Sequence, residues 1–160
     1  MNFYYFREKE IMLTPNKINF YTFFKLPAAW WSGVRVAILT SKTCTTYVRY
    51  GWRNQNPFRS MYFAVQAMAA ELSTGALILK HLEENDLKVS MLVLGMKSKY
   101  YKKAIGKIKF ICLDGDKINH SLLGLEEKKS KCTCILESNA YNESGDLVAS
   151  FEFEWTFKLK

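Results

Sequence analysis

The chain has 160 residues, of which 49% are hydrophobic and 15% aromatic. This length suits one domain with a substantial core, and so apolar a composition excludes disorder over most of the chain. The formal net charge of +8 at pH 7 favours an anionic partner such as nucleic acid, a membrane surface or a phosphorylated small molecule, with solubility alone as the alternative.

The beginning of the sequence and its apolar runs bear on location. Residues 1–10, MNFYYFREKE, lack the basic start, apolar stretch and small-residue cleavage site of a signal peptide. We expect residues 1–13 to form an N-terminal extension that can be flexible, with translation starting at Met1 or Met12. Residues 14–160 are predicted to form a single domain. The longest apolar run, residues 61–79, is interrupted by polar residues, so we expect no membrane span and a cytoplasmic location.

The cysteines show no metal-binding pattern. Cys44, Cys112, Cys132 and Cys134 form no Cys-x-x-Cys pair, and neither histidine stands at a metal-ligand spacing from them. We expect four reduced packing residues in a reducing compartment, and no metal site.

The first predicted element is a helix over residues 15–31. Thr14 is a suitable N-cap and Pro15 suits the first helical position. The helix is predicted to end near Gly33 and to pack across the main body through an apolar side composed of Ile18, Tyr21, Phe23 and Phe24.

Two strands and a loop should follow. Residues 34–39 and 43–52 are rich in β-branched and aromatic residues, which favour strands. Residues 53–59 are polar and include an Asn-Pro step, which indicates a loop.

A long helix is predicted from Ser60, as its cap, to about His81. It is apolar on nearly every side, and a helix of that kind is buried on every side. Glu71 is the only acidic residue between residues 60 and 79.

Four more strands are predicted, over residues 89–96, 104–113, 130–141 and 147–160. The last alternates large apolar residues with polar ones, as a strand with one buried face does, and residues 142–146 between the last two suit a hairpin turn. Residues 114–127 are predicted to form a short helix or a crossing loop. The order of elements predicts an α+β fold in which a mostly antiparallel sheet wraps around one central helix.

Two segments, LPAAWWSGVRV (residues 26–36) and RYGWRNQNPFRSMYFAVQAMAAELSTG (residues 49–75), resemble the hotdog-fold thioesterase superfamily, and in particular a thioesterase-like group of unknown function within it. The resemblance spans about residues 15–160. Better-known relatives have an asparagine, a His-Gly-Gly starting six residues later, and an aspartate or glutamate nine residues after that histidine. The matching positions here are Asn56, Tyr62 and Glu71, with Tyr62-Phe63-Ala64 in place of His-Gly-Gly.

The resemblance implies a hotdog fold, with a curved antiparallel sheet around the central helix and an extra N-terminal helix. It also implies a homodimer or a dimer of dimers that hydrolyses acyl-CoA, with coenzyme A present only as part of the substrate and no other cofactor. Glu71 would act as base or nucleophile, Asn56 or Tyr62 would position water or the carbonyl, and the first amides of the helix would polarise that carbonyl. The predicted substrate-binding residues are Met61, Phe63, Val65, Met68, Leu72, Arg59, Lys97 and Lys99.

Each candidate has a structural alternative. Burial should raise the pKa of a lone Glu71 carboxyl, yet that acid can instead pair with Arg53, Arg59 or a lysine. Asn56 can be a turn residue before a proline, and Tyr62 can be a core residue with a satisfied hydroxyl. The loss of His-Gly-Gly favours, as a second function, a module that binds acyl-CoA or another lipid-like ligand without turnover.

A lysine-rich stretch also has several interpretations. It contains Tyr100 and Tyr101 among six lysines, which are Lys97, Lys99, Lys102, Lys103, Lys107 and Lys109. They can bind coenzyme A phosphates, form a solvated strand edge, or contact nucleic acid, which is the least favoured of the three because no nucleic-acid-binding signature accompanies them.

Overall fold

The N-terminal segment folds as two short helices rather than the single one predicted. The computed structural model describes residues 12–128 and 131–160, so most of the predicted extension lies outside the described residues. Thr14 accepts a hydrogen bond from the Lys17 amide at 3.4 Å, and helix α1 runs over Pro15–Lys25. Helix α2 is Pro27–Trp31. The prediction of one helix was wrong because Pro27 lacks an amide hydrogen and disfavours a helical residue before it, so the chain turns at Leu26, with φ −129° and ψ 59°.

The predicted packing of α1 was also only partly correct. Ile18 is buried and Tyr21 is half-buried, but Phe23 and Phe24 face outward. The side of α1 that contacts the body carries Thr22 and Asn19 beside Ile18.

Six strands form one antiparallel sheet in the order β1-β2-β4-β5-β6-β3. Their bounds are β1 Arg35–Leu39, β2 Cys44–Arg49, β3 Val89–Tyr100, β4 Lys107–Cys112, β5 Lys131–Tyr141 and β6 Leu147–Leu159. The predicted strands are all present. The third extends four residues further than predicted because it pairs with β6 as far as Tyr100, and the fourth starts later because the Ala104 carbonyl accepts the Met61 amide instead.

Helix α3, Phe63–Glu84, is the central helix, and it contacts β1, β2, β4, β5 and β6. It begins two residues later than predicted because Ser60 belongs to the preceding loop, where its amide and hydroxyl both donate to Asn56 Oδ1. A 3₁₀ turn at Trp52–Asn54 replaces the end of the predicted second strand. Ala76, Leu77 and Ile78 are fully buried, which confirms the expected core position of this helix.

Residues 114–127, predicted as helix or loop, form most of helix α4, Gly115–Lys128. Ile118, Leu122 and Leu125 are buried where α4 packs against β5 and α3. The predicted hairpin is present, with the Asn142 amide donating to Asp146 O and Gly145 at φ 83°. The predicted architecture, a curved antiparallel sheet wrapped around a long helix with an extra N-terminal helix, is confirmed as a hotdog fold.

The two edges of the sheet differ in how they are covered. At β1, the Asn19 side chain donates to Val36 O at 2.9 Å and accepts from the Val36 amide at 2.8 Å, so α1 occupies the place of a further strand. At β3, no described strand pairs with the outer side, and Leu92, Leu94 and Met96 are exposed. An unpaired apolar strand edge is a surface on which another strand can add.

Candidate functional site

Glu71 lies on α3 at a small cavity. The volume of the cavity is about 240 Å³. Met68, Glu71 and Leu72 form one wall, and the α1–α2 junction forms the other with Lys25, Leu26, Pro27, Ala28 and Ala29. Three of the predicted site residues are therefore brought together around an apolar space that contains one carboxylate.

The Glu71 carboxylate has no hydrogen bond or ion pair with the described residues of its own chain. Burial raises its pKa, as the sequence predicts for a lone acid in an apolar helix. Among the described residues, Glu71 forms no ion pair with Arg53, Arg59 or a lysine, although Lys25 lines the same cavity. A carboxyl with a raised pKa and no partner is available to exchange a proton with a ligand.

Gly75, one turn further along α3, leaves room beside this carboxylate. A Cβ at Gly75 would lie 3.5 Å from Glu71 Oε1 and 3.6 Å from the Trp155 ring. The Trp155 indole donates to Thr74 Oγ1 at 3.1 Å, and that hydroxyl donates to the Glu71 carbonyl at 2.9 Å. The indole of β6 and the backbone carrying Glu71 are thus held together by a neutral hydrogen-bonded link.

The sequence interpretation missed Gly75, Trp155 and the α1–α2 junction as neighbours of Glu71. A glycine inside a long helix costs stability relative to alanine, so Gly75 was a usable signal of close packing. No periodicity could have assigned Pro27 or Ala28 to this cavity, because their approach to α3 is a tertiary contact.

The start of α3 leaves two amides without acceptors among the described residues. The Tyr62 amide donates to Asn54 O at 2.8 Å, and the Val65 and Gln66 amides donate to Tyr62 O, whereas the Phe63 and Ala64 amides have no described acceptor. Free amides at a helix start attract negative charge. Tyr62 and Phe63 are both exposed and pack edge to face with ring centroids 4.9 Å apart, and Phe63 lies 6.4 Å from Tyr100.

Asn56 organises the loop before α3. Its Oδ1 accepts from the Phe58 amide at 2.9 Å and from Ser60, and its Nδ2 donates to Ser60 Oγ at 3.1 Å. These are the contacts of a turn residue. Asn54, which no sequence pattern singled out, is buried and joins Gly51, Ser32 and Arg49 through its amide.

The other predicted substrate-binding residues are dispersed. Met61 and Val65 are buried in the core, while Arg59 is exposed in the loop, with φ 58°. Neither Arg59 nor the exposed pair Lys97 and Lys99 lines the cavity at Glu71.

Much of the lysine-rich stretch already has partners within the chain. Lys97 lies 3.9 Å from Glu152 and Lys102 lies 3.1 Å from Asp146, while Lys107 lies 4.2 Å from the centre of the Tyr47 ring. The first two pairs are exposed, so they contribute little to stability, yet they lower the local excess of positive charge.

Three of the cysteines, Cys44, Cys112 and Cys134, are not poised for chemistry. Burial, followed by the nearby thiol of Cys112, raises the pKa of Cys44, and burial raises the pKa of Cys112 to about 12. The pKa of Cys134 shifts in the same direction for the same main reason. Within residues 12–128 and 131–160, no group of His, Cys, Asp and Glu is arranged to hold a metal ion. Among these same residues, no helix is long and apolar enough to cross a bilayer.

The chain matches one protein family over most of its length. A family model described as a domain of unknown function, DUF4442, matches residues 17–157. A search of curated proteins gives no match.

Solved structures with the same fold cover nearly the whole chain. A Pseudomonas aeruginosa protein described as a "probable thioesterase" is 23% identical with a TM-score of 0.78, covering 93% of this chain and 99% of its own. A Chlorobaculum tepidum protein of unknown function is 17% identical with a TM-score of 0.80, covering 94% and 100%. A thioesterase from Haemophilus influenzae is 12% identical with a TM-score of 0.71, covering 92% of each chain. At these identities the likeness establishes the fold alone.

Proposed function

The chain belongs to the DUF4442 family, and from that starting point we propose that it is an acyl-CoA thioesterase in which Glu71 acts as base or nucleophile. The observation that carries the proposal is the partnerless carboxylate of Glu71, with a raised pKa, at an apolar cavity. The neighbours of the same fold that are described as thioesterases support the choice of reaction.

As a base, Glu71 would take a proton from water while the water oxygen bonds to the thioester carbonyl carbon. The resulting oxyanion needs donors, and the free amides of Phe63 and Ala64 are suited to that role. Collapse of the tetrahedral species breaks the C–S bond, and the coenzyme A sulfur leaves with the proton returned from Glu71. As a nucleophile, the Glu71 carboxylate would instead bond to the carbonyl carbon, the C–S bond would break and coenzyme A would leave as the thiolate. Water would then cleave the resulting mixed anhydride, which releases the acid and restores Glu71.

These two functional parts are too far apart to act within one protomer. Eight residues separate Phe63 from Glu71 on α3, or about 12 Å at 1.5 Å per residue, whereas a reacting carbonyl must lie about 3 Å from both base and donor. We therefore propose a homodimer, or a dimer of such dimers, in which each site combines Glu71 of one protomer with the helix start of its partner.

Two further observations support a shared site. The uncovered edge of β3, with Leu92, Leu94 and Met96 exposed, offers a surface for pairing, whereas the β1 edge is covered by Asn19. A cavity of about 240 Å³ is also smaller than the ~300–1,000 Å³ of typical ligand pockets. In the dimer, the acyl chain would extend from Met68 and Leu72 toward the partner, with coenzyme A phosphates near exposed lysines such as Lys97 and Lys99.

The proposal is tested by release of free thiol from a panel of acyl-CoA substrates of different chain length. Glu71→Gln removes the base and should lower kcat/KM by about a hundredfold or more. Glu154→Gln, an exposed acid on β6, is the matched control and should leave the rate unchanged. Because the pKa of Glu71 is raised and only the ionised form is a base, kcat/KM should rise with pH through that pKa and then level off. Full activity of Glu71→Gln in an intact dimer would contradict the proposal.

A module that binds acyl-CoA or a lipid-like ligand without turnover is the second candidate. The observation that favours it is the start of α3, where Phe63 replaces a small residue and Asn56 makes its hydrogen bonds within its own loop. Tight binding of acyl-CoA by calorimetry, with no thiol released from any substrate, would select this function. A cytoplasmic location, suggested by reduced cysteines, is part of either proposal.

A further inference from the structure

Helix α1 presents its most apolar side to solvent. Phe20 is 69% exposed and Phe24 60% exposed, whereas the side that faces the sheet holds Thr22 and Asn19 beside the buried Ile18. The exposed side of a surface helix is ordinarily polar, so several exposed aromatic rings on that side are unusual. Exposed rings of this kind are suited to contact with a partner that covers them.

Three of the exposed rings contact one another, those of Phe20, Phe23 and Phe24. Together with the exposed Leu26 and Trp31, which follow them in the chain, they make up what we call the aromatic patch. The ring centroids of Phe20 and Phe24 are 5.0 Å apart, and those of Phe23 and Phe24 are 4.7 Å apart. Leu26 is exposed at the α1–α2 junction, and Trp31, at the end of α2, is 66% exposed. Exposed apolar surfaces of this kind mark interaction sites.

The part of the sequence that contains the patch carries an excess of positive charge. Residues 12–70 contain seven basic residues and no aspartate or glutamate. The seven are Lys17, Lys25, Arg35, Lys42, Arg49, Arg53 and Arg59. Almost all of the net charge of +8 therefore belongs to this part of the chain. Two of the basic residues, Lys17 and Lys25, are exposed on α1 itself.

One of these basic residues, Arg35, is linked to the patch through Trp30. Phe23 packs edge to face on Trp30 at 5.2 Å, and the Arg35 guanidinium lies 3.4 Å from the centre of the Trp30 ring. Burial lowers the pKa of Arg35, and the nearby positive charge of Arg53 adds to that shift. The apolar rings thus have Arg35 beside them, and Lys17 and Lys25 lie on the same helix.

We propose that the aromatic patch docks this protein on membranes that contain anionic lipid. Phenylalanine and tryptophan rings insert at the boundary between headgroups and acyl chains, and basic side chains beside them contact the anionic headgroups. The attachment is peripheral, since none of the described helices is long and apolar enough to span a bilayer.

Charge favours a membrane over a second copy of the chain as the occupant. A symmetric contact between two patches would bring the Lys17 and Lys25 of one copy against those of the other, and like charges repel. An anionic surface complements both the rings and the cations.

Docking would also bring the candidate site to the membrane. Lys25 and Leu26 both line the cavity at Glu71. Leu26 belongs to the patch, and Lys25 precedes it in the chain. The docking inference itself does not depend on the chemistry of Glu71, so either can fail without the other.

The test is flotation of the full chain with phosphatidylcholine vesicles, with and without about one third phosphatidylserine. The wild type should float with the anionic vesicles, and raised salt should weaken the binding. The paired substitutions Phe20→Ser and Phe24→Ser should lower partitioning about tenfold or more. The paired substitutions Lys17→Gln and Lys25→Gln should also lower partitioning onto anionic vesicles, and they leave the rings in place. If the serine variant does not fold, this second variant still tests the proposal.

The matched control removes two exposed apolar side chains elsewhere, Leu113→Ser and Ile135→Ser, and should bind vesicles as the wild type does. Ile135 lies on β5, which is separated from β1 by β2 and β4. Failure of the wild type to bind anionic vesicles would overturn the proposal, as would full binding by both patch variants. A change of oligomeric state in the serine variant, measured by sedimentation with vesicle binding intact, would assign the patch to a second copy and also overturn it.

Discussion

Glu71 and Gly75 form a pair on α3 in which the glycine makes room for the carboxylate. Glu71 Oε1 lies 3.5 Å from the place that a Cβ would take at residue 75, and the Trp155 ring closes the other side at 3.6 Å. A methyl group would therefore touch both neighbours at ordinary contact distance, and anything larger would have to displace one of them.

Gly75→Ala should stabilise the fold by about 0.5–1 kcal/mol, because alanine fits the space and has the higher helix propensity. Gly75→Val should destabilise it, because its two branches would press on the carboxylate and the indole. Urea unfolding of both variants and the wild type measures the difference in the free energy of unfolding, which is read from the midpoints when the m-values are equal. A destabilised alanine variant would show that the space beside Glu71 is too tight for a methyl group.

Glu71→Gln should stabilise the protein at neutral pH and not in acid. Burial raises the pKa of Glu71 in the folded chain above its value of about 4.3 in the unfolded chain. The wild type therefore has its full stability below that unfolded value and loses some as pH rises through the folded pKa. Glutamine does not ionise, so its advantage in melting temperature should appear over that pH range and vanish near pH 4. Glu154→Gln is the control, and an equal gain at every pH would contradict the assignment.

Asn19→Ala should expose the β1 edge and lower the free energy of unfolding by about 1–3 kcal/mol. The substitution removes both hydrogen bonds to Val36, which leaves its amide and carbonyl without partners. Asn16→Ala, at an exposed position of the same helix, is the control. Chemical unfolding measures stability and light scattering measures aggregation through the opened edge. Equal stability of the two variants would mean that α1 does not protect the strand.

Cys44 and Cys112 should resist alkylation while the protein is folded. They face each other across β2 and β4, and burial raises the pKa of both thiols, to about 12 at Cys112. At pH 8 neither forms appreciable thiolate, which is the reactive species. Intact-mass measurement after iodoacetamide treatment should show both unmodified before denaturation and modified after it. Rapid modification in the folded state would indicate that this part of the core opens.

Several features of the fold follow from local patterns that tertiary contacts do not override. The alternation from Phe151 to Leu159 specifies a strand with one buried face, and Thr14 with Pro15 specifies a helix start. A helix that is apolar all round has to be enclosed, and strands are the only elements numerous enough to enclose it. The composition of residues 63–79 is therefore enough to predict the central position of α3.

The predicted helix boundaries were wrong where a residue had a competing hydrogen-bond partner or where a proline interrupted the helix. Ser60 has the chemistry of a helix cap, but Asn56 is nearer in the turn, so the helix starts without a side-chain cap at Tyr62. Pro27 interrupts a helix that its neighbours favour. Phe23 and Phe24 have the spacing of buried residues and are exposed, because the side of α1 that meets the sheet is chosen by Asn19 pairing with Val36.

The sequence by itself determined the α+β architecture and the isolation of one acid within an apolar helix, since both depend on composition and period along the chain. Only the tertiary structure decided what faces that acid. Pro27 approaches Glu71 across more than forty residues of sequence, and Trp155 does so across more than eighty. Such contacts are set by how helices and strands pack, and no local pattern encodes the distance between two elements that meet only when the sheet closes around α3.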